Sequence, residues 1–233
     1  MQLQGILFDY GGTLDGAASH WFDRMLELYR EAGVDLAIDR AKAAFYRADD
    51  AAYGDPRAAA MSLGELMDFH VGVQLRELAI ADEGLRRRLA AAFVTRSETA
   101  LATSRAVLER LADRYRLGVV SNFYGNVQRI LEEAGIAPLL AVIADSTRVG
   151  CMKPHRRIFE HALAAMGTAP AATLHVGDSY ERDVCAAHAL GLHTAWLVPA
   201  GRSAVPPDCV ADLVLSSLDE LERALPIAGH PRP

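Results

Sequence analysis

The chain has 233 residues, of which 51% are hydrophobic and 23% charged, and its formal net charge is −6. This length allows one good hydrophobic core, or one core with a small appended domain. A mildly acidic surface gives no electrostatic reason to expect nucleic acid as a partner. No apolar run approaches the roughly 18 residues needed to span a bilayer, so no membrane partner is expected either.

The start of the chain and its cysteines favour a cytoplasmic protein. The N-terminus enters a strand without the basic stretch, apolar segment or cleavage site of a secretory signal. Cys151, Cys185 and Cys209 are odd in number and widely spaced, which argues against a disulfide framework and fits a reducing compartment. We expect a monomer or a homodimer.

The first half of the chain is predicted to be one strand followed by a helical block. Residues 3–9 read as a short buried strand, and residues 17–97 show helical periodicity with little strand propensity. Within the block, Ser62-Leu63-Gly64-Glu65 forms a capping box, and Asp82 is a candidate N-cap for the last helix. The block is therefore predicted to be a bundle of four or five short helices.

After about residue 98, strands and helices alternate. Strands are predicted over 117–120, 139–144, 173–176, 192–197 and 213–215, and helices near 102–113, 126–134, 155–166 and 181–190, with a last helix after 215. This alternation predicts a parallel sheet with helices on both faces, an α/β fold of the Rossmann-like type. Residues 1–16 and 98–233 would form this core, and residues 17–97 would form an inserted helical cap.

Polar side chains follow several of these strands. Asp9 follows the first, Ser121-Asn122 the second, and Gly177-Asp178-Ser179 the fourth, with Asp183 five residues beyond Asp178. Lys153-Pro154 opens the helix after the third strand. Ligand sites of parallel sheets lie beyond the carboxyl ends of the strands. Each residue alone could be a turn, a helix cap or a solvated charge, but together they indicate one functional site.

In this order, the residues resemble the four motifs of the haloacid dehalogenase superfamily, and the helical insertion lies where that superfamily places its C1-type cap. The resemblance implies a phosphatase-like hydrolase that acts on a small phosphorylated substrate through an aspartyl-phosphate on Asp9. Lys153 would balance the negative charge, Ser121 and the Asn122 backbone N–H would hold phosphoryl oxygens, and Gly12 would allow close approach of the backbone to the phosphoryl group.

The resemblance also implies a Mg²⁺ cofactor. Asp9, Asp178 and the backbone carbonyl of Gly11 would be its protein ligands, because Mg²⁺ binds one or two carboxylates together with water and substrate oxygens. Asp183 would complete the metal site by positioning a metal-bound water or by orienting Asp178.

Gly11 is the main departure from the superfamily pattern, which has a general acid/base aspartate two residues after the nucleophile. That role usually contributes about 10²–10⁴ in rate. The hinge carboxylate expected seven residues after the nucleophile is also displaced, since that position is Gly16 and the nearest carboxylate is Asp15. Either another residue supplies the proton, with Asp15, Tyr10, His20 and His155 as candidates, or the enzyme is slow or favours leaving groups that need no proton.

Three alternatives stay open at this point. Gly11 alone would permit a haloacid dehalogenase, although such enzymes need no metal and lack the Gly177-Asp178 pair. A phosphonate hydrolase would need a cap lysine for a Schiff base, and the cap offers only Lys42. The chain could also be a catalytically impaired binding protein on the same fold.

Overall fold

The computed structural model describes residues 3–16, 18–199 and 206–225. A six-stranded sheet of order β3-β2-β1-β4-β5-β6 lies at its centre, and every neighbouring pair of strands is parallel. The strands are β1 Gly5–Phe8, β2 Arg116–Ser121, β3 Leu140–Asp145, β4 Thr173–Gly177, β5 His193–Leu197 and β6 Leu213–Leu215.

Side chains of the central strand alternate between two buried clusters. Ile6 and Phe8 belong to the larger cluster, whereas Leu7 packs with Val120 and Phe159 in the smaller one. Successive residues of a strand point to opposite faces of the sheet. Both faces of β1 are therefore covered, as expected for a parallel sheet in an α/β protein.

Helices cover the two faces and form an insertion between β1 and β2. They are α1 Trp21–Glu31, α2 Ile38–Gly54, α3 Leu63–Glu77, α4 Glu83–Ala112, α5 Val127–Glu133, α6 Ser146–Val149, α7 Arg156–Met166, α8 Ala186–His188 and α9 Leu218–Ala224. The C-terminal half of α4 and helix α9 contribute to the larger cluster, and α7 contributes to the smaller one. Helices α1 to α4 form the cap, so the predicted fold class is confirmed.

Helix α4 differs from its prediction. Residues 102–113 were expected to form a separate helix, but Glu83–Ala112 is one continuous helix of 30 residues. Buried side chains continue at helical spacing through Phe93, Ser97, Leu101 and Ser104, and no glycine or proline follows Gly84 to interrupt them. The expected division between cap and core at residues 97 and 98 falls inside this helix and stays a prediction.

The region predicted as a helix near 181–190 is also different. It consists of a π-helical turn over Tyr180–Cys185 followed by the short helix α8. The prediction located the helical region but not its wider first turn, which side-chain periodicity does not reveal. The capping predictions are confirmed: Ser62 and Glu65 form both bonds of a capping box, and Asp82 accepts a hydrogen bond from the N–H of Leu85.

Strand order places the candidate residues together. Phe8 is paired with Val119 on one side and with Val176 on the other, so Asp9 lies between the ends of β2 and β4. The order of the strands reverses at β1 and β4, which is the position where open α/β sheets bind ligands. Among the described residues, no helix is both long and apolar enough to cross a membrane.

Candidate active site at the ends of β1, β2 and β4

A buried lysine joins two of the predicted site carboxylates. Lys153 Nζ lies 2.8 Å from Asp9 Oδ1 and 2.5 Å from Asp183 Oδ1, and its side chain is only 3% exposed. Burial alone would lower the pKa of Lys153, but the two carboxylates outweigh it and raise that pKa. Lys153 is therefore a charged group held against Asp9, and not a solvated surface lysine.

Asp183 is held in place through both of its carboxylate oxygens. Oδ1 pairs with Lys153 and with His175 Nε2, the latter at 3.0 Å, and Oδ2 accepts a hydrogen bond of 3.1 Å from the Ser179 backbone N–H. Burial opposes ionisation of Asp183, but Lys153 and His175 reverse its effect, so the pKa lies below its ordinary value. Gly177 is required here, because a Cβ at that position would collide with the Asp183 side chain.

His175 was missed by the sequence reasoning. It lies in the middle of β4 and is fully buried, with Nδ1 lacking a hydrogen-bond partner and the ring packed edge-on against Phe159. A polar residue between Leu174 and Val176 in an otherwise apolar strand was the available signal.

The side chain of Asn122 supports the main chain of Lys153. Asn122 Nδ2 donates to the Lys153 carbonyl at 2.9 Å, and Asn122 Oδ1 accepts from the Lys153 N–H at 2.6 Å. Such a pair of bonds fixes the backbone from which the lysine projects. The role expected for the Asn122 backbone N–H, holding a phosphoryl oxygen, stays a prediction. Ser121 is buried and lines a cavity between the cap and the sheet, which Asp9 and Lys153 also line.

The acidic cluster fits a divalent metal ion. Asp9, Asp178 and Asp183 each offer a carboxylate oxygen, and these atoms lie within 4.8 Å of one another. Burial and neighbouring carboxylates raise the pKa values of Asp9 and Asp178, which Lys153 only partly offsets. Hard oxygen donors carrying excess negative charge suit Mg²⁺, and a divalent cation would relieve their mutual repulsion.

The two glycines after the first strand have different surroundings. Gly12 has φ +85°, and a Cβ there would collide with the Asp178 carboxylate. The absence of a side chain at Gly12 therefore lets Asp178 pack against this turn. Gly11 has no left-handed backbone conformation, and a Cβ there would lie 3.6 Å from Trp21 Nε1, an ordinary van der Waals separation. The missing carboxylate is therefore not excluded by the backbone at Gly11.

Asp15 is not placed to replace the missing acid. Its Oδ1 accepts from the Gly12 N–H at 2.8 Å, and its Oδ2 accepts from Trp21 Nε1 at 2.7 Å and pairs with Arg24 at 3.2 Å. The side chain is fully buried and is not part of the cavity wall. Asp15 instead ties the turn after β1 to helix α1.

Of the other acid candidates, only His20 lines the cavity. The hydroxyl of Tyr10 is buried without a partner, and burial, with the Asp15 charge, raises its pKa well above the ordinary value. His155 is exposed and caps α7. His20 accepts a hydrogen bond from the Phe22 N–H through Nδ1, so a neutral ring carries its proton on Nε2. Burial, followed by the charge of Arg182, lowers the pKa of His20.

The cavity lies between the cap and the sheet and measures about 340 Å³. Its core side includes Asp9, Ser121, Lys153 and Asp178. Residues of helix α2 that were not predicted from the sequence also line it: Phe45, Tyr46, Asp49, Asp50 and Tyr53. Tyr124 and Arg182 are among the further lining residues from the core. The cap lysine Lys42 is exposed and does not line the cavity, which removes support for Schiff-base chemistry.

Comparison with known proteins gives the family. The family model for haloacid dehalogenase-like hydrolases matches residues 3–191 of the chain. The chain therefore belongs to the haloacid dehalogenase-like hydrolases, and its relatives include phosphatases.

Curated relatives match parts of the chain. Haloacid dehalogenase-like hydrolase domain-containing protein 3 of Mus musculus is 38% identical over 113 residues, 47% of this chain and 45% of the relative. Pyrimidine 5'-nucleotidase YjjG of Escherichia coli is 30% identical over 122 residues, 52% of this chain and 54% of the relative. The matched segments thus span about half the length of these relatives.

A solved structure matches nearly the whole chain. The HAD-hydrolase YfnB from Bacillus subtilis, described as bound to magnesium, has a TM-score of 0.63 and 23% identity, covering 97% of this chain and 100% of that protein. A 2-haloacid dehalogenase from Pseudomonas syringae has a TM-score of 0.53, 20% identity and coverages of 95% and 97%. At these identities the likeness extends to the fold and does not separate phosphatase from dehalogenase.

Proposed function

We propose that this haloacid dehalogenase-like hydrolase is a Mg²⁺-dependent phosphatase of small phosphorylated metabolites, with Asp9 as the nucleophile. The contact of Asp9 with buried Lys153, next to the carboxylate of Asp178, carries the proposal. A dehalogenase needs no metal and lacks the Gly177-Asp178 pair, whereas phosphoryl transfer needs positive charge around an anionic substrate. The phosphatases among the curated relatives support the same reaction.

The reaction would proceed in two displacements at phosphorus. An Asp9 oxygen attacks and forms a P–O bond as the bond to the leaving alcohol breaks, and water then attacks the aspartyl-phosphate to release inorganic phosphate and regenerate Asp9. Lys153 stabilises the negative charge, Ser121 binds a phosphoryl oxygen, and Asp183 keeps Lys153 in position. Mg²⁺ bound by Asp9, Asp178 and the Gly11 carbonyl would neutralise charge on the phosphoryl group.

Proton donation to the leaving group would be weak in the first step. A pKa below its ordinary value makes His20 mainly neutral at pH 7, and a neutral imidazole is a poor donor of a proton to a leaving alkoxide. The first step would therefore favour leaving groups that depart unprotonated. Aryl and acyl phosphates are expected to be better substrates than simple alkyl phosphates.

Phosphate release from p-nitrophenyl phosphate and acetyl phosphate tests the function. Wild type should turn over in Mg²⁺, stop in chelator and recover when Mg²⁺ is restored. Asp9→Asn should lose several orders of magnitude in kcat with its fold intact, and Asp39→Asn, at an exposed cap position, should behave as wild type. Full activity in chelator, or release of halide from 2-haloacids, would favour dehalogenation. Asp9→Asn turnover within about tenfold of wild type would remove Asp9 as the nucleophile.

A further inference from the structure

The cavity is electrostatically polarised between its two sides. Lys153 belongs to the core side, where the phosphoryl group would bind, whereas Asp49 and Asp50 of helix α2 belong to the cap side. Arg182 comes from the core, and its charge acts on His20 and Tyr53. Helix α2 has no basic residue in its last turn, so the partial negative charge of its C-terminal end adds to that of the two carboxylates. A leaving group that extends toward the cap therefore meets negative potential.

Asp49 is fixed by a chain of hydrogen bonds that runs into the interior of the cap. Its Oδ1 accepts from the Tyr124 hydroxyl at 2.5 Å and from His70 Nε2 at 3.0 Å. Gln74 Nε2 donates to His70 Nδ1 at 2.8 Å, and the Tyr29 hydroxyl donates to Gln74 Oε1 at 3.3 Å. His70, Gln74 and Tyr29 are buried in the cap. This chain orients one carboxylate oxygen and leaves the other, Oδ2, without a hydrogen bond among the described residues.

The donors to Asp49 leave its negative charge unbalanced. With Nδ1 accepting from Gln74, the His70 ring is neutral when Nε2 donates to Asp49, and the Tyr124 hydroxyl is also neutral. Neither Asp49 nor Asp50 forms an ion pair with lysine or arginine in the part of the chain that the structure describes. The Asp49 side chain is 21% exposed and lines the cavity.

Aromatic rings surround this carboxylate. Tyr53 and Tyr124 meet edge to face at 4.7 Å between ring centroids, and Phe45 and Tyr46 line the cavity on the cap side. Burial, and after it the Asp49 charge, raises the pKa values of both Tyr53 and Tyr124, which keeps their hydroxyls neutral. A carboxylate among neutral aromatic rings is favourable for an organic cation, because ring faces also attract positive charge.

We infer that Asp49 determines substrate specificity by binding an ammonium group on the leaving group. The inference rests on the proposed phosphatase function, since it places the phosphoryl group at Asp9. Among alkyl phosphates, the preferred substrates would then be small zwitterionic monoesters with an amine at the end opposite the phosphate. A cavity of about 340 Å³ is at the small end of the range for ligand pockets, which fits a phosphate with a short aminoalkyl chain.

Binding is the first measurement, because an ammonium group also makes an alcohol a better leaving group and would bias turnover. Calorimetry in Mg²⁺ would compare 3-aminopropyl, 3-hydroxypropyl and butyl phosphate on Asp9→Asn, which blocks turnover. The aminopropyl ester should bind at least about tenfold more tightly than the other two, because a polar site penalises ligands that leave it unpaired. Adding Asp49→Asn should reduce this preference to within about threefold, the range of a weak exposed ion pair.

Two further variants control for position and folding. Asp9→Asn with Asp39→Asn removes an exposed carboxylate from the same helix and should keep the full preference. Tyr124→Phe removes one hydrogen bond to Asp49 while retaining the ring, and should weaken the preference without a loss of helical circular dichroism. If Asp49→Asn does not fold, the result for Tyr124→Phe decides whether Asp49 is responsible for the preference.

The outcomes separate this inference from the proposed function. Equal binding of the three esters, or tighter binding of the hydroxypropyl ester, would overturn the ammonium site. A preference that survives Asp49→Asn would assign it to another residue and overturn the role of Asp49. Preferential binding of the aminopropyl ester, with no phosphate release by wild type from p-nitrophenyl phosphate or acetyl phosphate, would contradict the proposed hydrolysis and leave the ammonium site intact. Hydrolysis of p-nitrophenyl phosphate together with equal affinities for the three esters would do the reverse.

Discussion

Lys153 balances two carboxylates at once, and its compact ammonium fits a crowded buried site. Its Nζ contacts both Asp9 and Asp183, and the Asn122 side chain holds its backbone. A guanidinium is planar and larger, so it cannot take the same position between the two carboxylates.

Lys153→Arg should therefore lower kcat by at least about a hundredfold, comparable to the loss of one stabilising donor in an active site. Steady-state kinetics on p-nitrophenyl phosphate would measure the loss. Lys42→Arg is the matched control, because Lys42 is the other lysine of the chain and is exposed on the cap. Near-normal kinetics in Lys153→Arg would show that position and charge at this site are not critical.

Gly11 offers a direct test of the missing acid. Its backbone is not left-handed, and a Cβ would have ordinary contacts with Trp21, so a larger residue is sterically acceptable at Cβ. Without an acid, wild-type kcat/KM should fall steeply as the leaving-group pKa rises from acyl through aryl to alkyl phosphates.

Gly11→Asp should raise alkyl phosphate turnover selectively, by up to about 10²–10⁴. A leaving-group series measured on wild type, Gly11→Asp and the matched Gly11→Ala would separate the carboxylate from the added bulk. Rapid mixing would show whether breakdown of the aspartyl-phosphate masks the gain. A flat dependence in wild type would mean that a proton donor is already present, and His20, which lines the cavity, would be the residue to replace.

At the residue scale, the sequence predicted the core side of the site better than the cap side. Asp9, Ser121, Lys153 and Asp178 follow strands or open a helix at one sheet edge, so local pattern was enough to bring them together. Asp49 lies inside a helix with many charged residues, and its role depends on how α2 packs against the core. His70 and Gln74, four residues apart on a buried helix face, were the one local signal for that side.

At the element scale, a buried ion pair connects the turn after β1 to the cap. Asp15 lies in that turn, Arg24 in α1 and Ser97 in α4. Arg24 pairs with Asp15 at 3.2 Å, donates to Ser97 Oγ at 2.7 Å and lies 4.2 Å from the ring centre of Phe93. These contacts join three segments at the base of the cap.

Arg24→Leu should destabilise the protein by about 3–5 kcal/mol, because it leaves the buried Asp15 carboxylate without its counter-charge. Urea unfolding followed by circular dichroism would give the free energy of unfolding. Arg87→Leu, at an exposed position of α4, should change it by no more than about 0.5 kcal/mol. A similar small effect of Arg24→Leu would mean that the other hydrogen bonds to Asp15 are sufficient.

Strands were predicted to within a residue or two because apolar runs between polar turns are local features. The length of helix α4 was not predicted correctly, because its two halves pair with different parts of the molecule. Arg96 pairs with Glu27 and Glu31 of the cap, whereas Arg110 pairs with Asp219 and Glu222 of α9. A change of partner along one helix resembles a boundary between two helices when only the sequence is available.

At the scale of the whole molecule, the sheet concentrates negative charge at its centre. Asp9 and Asp178 follow adjacent strands, and their pKa values are raised because burial and then neighbouring carboxylates, Asp183 among them, oppose ionisation. The folded chain therefore holds these carboxylates at an energetic cost in the absence of a cation. Binding of Mg²⁺ to the folded state alone should repay part of that cost and stabilise the whole fold.

Mg²⁺ should raise the melting temperature, and the rise should be larger at pH 7.5 than at pH 5.5. Because the pKa of Asp178 is raised well above its ordinary value, its protonated fraction grows as the pH falls, and Mg²⁺ must then displace a proton to bind. At a hundredfold excess over Kd the stabilisation is about 2.7 kcal/mol, or roughly 5–10 °C for a chain of this size. Thermal unfolding with and without Mg²⁺ would measure it at both pH values.

Asp178→Asn is the matched control for that measurement, since it keeps the size of the side chain and removes both its charge and its titration. The variant should melt at nearly the same temperature with and without Mg²⁺, at either pH. Asp212→Asn removes a carboxylate that precedes the edge strand β6 and accepts from the Thr194 N–H, and it should retain the full Mg²⁺ response even if its baseline stability falls. A Mg²⁺ response that is independent of pH, or that persists in Asp178→Asn, would place the ion elsewhere on the molecule.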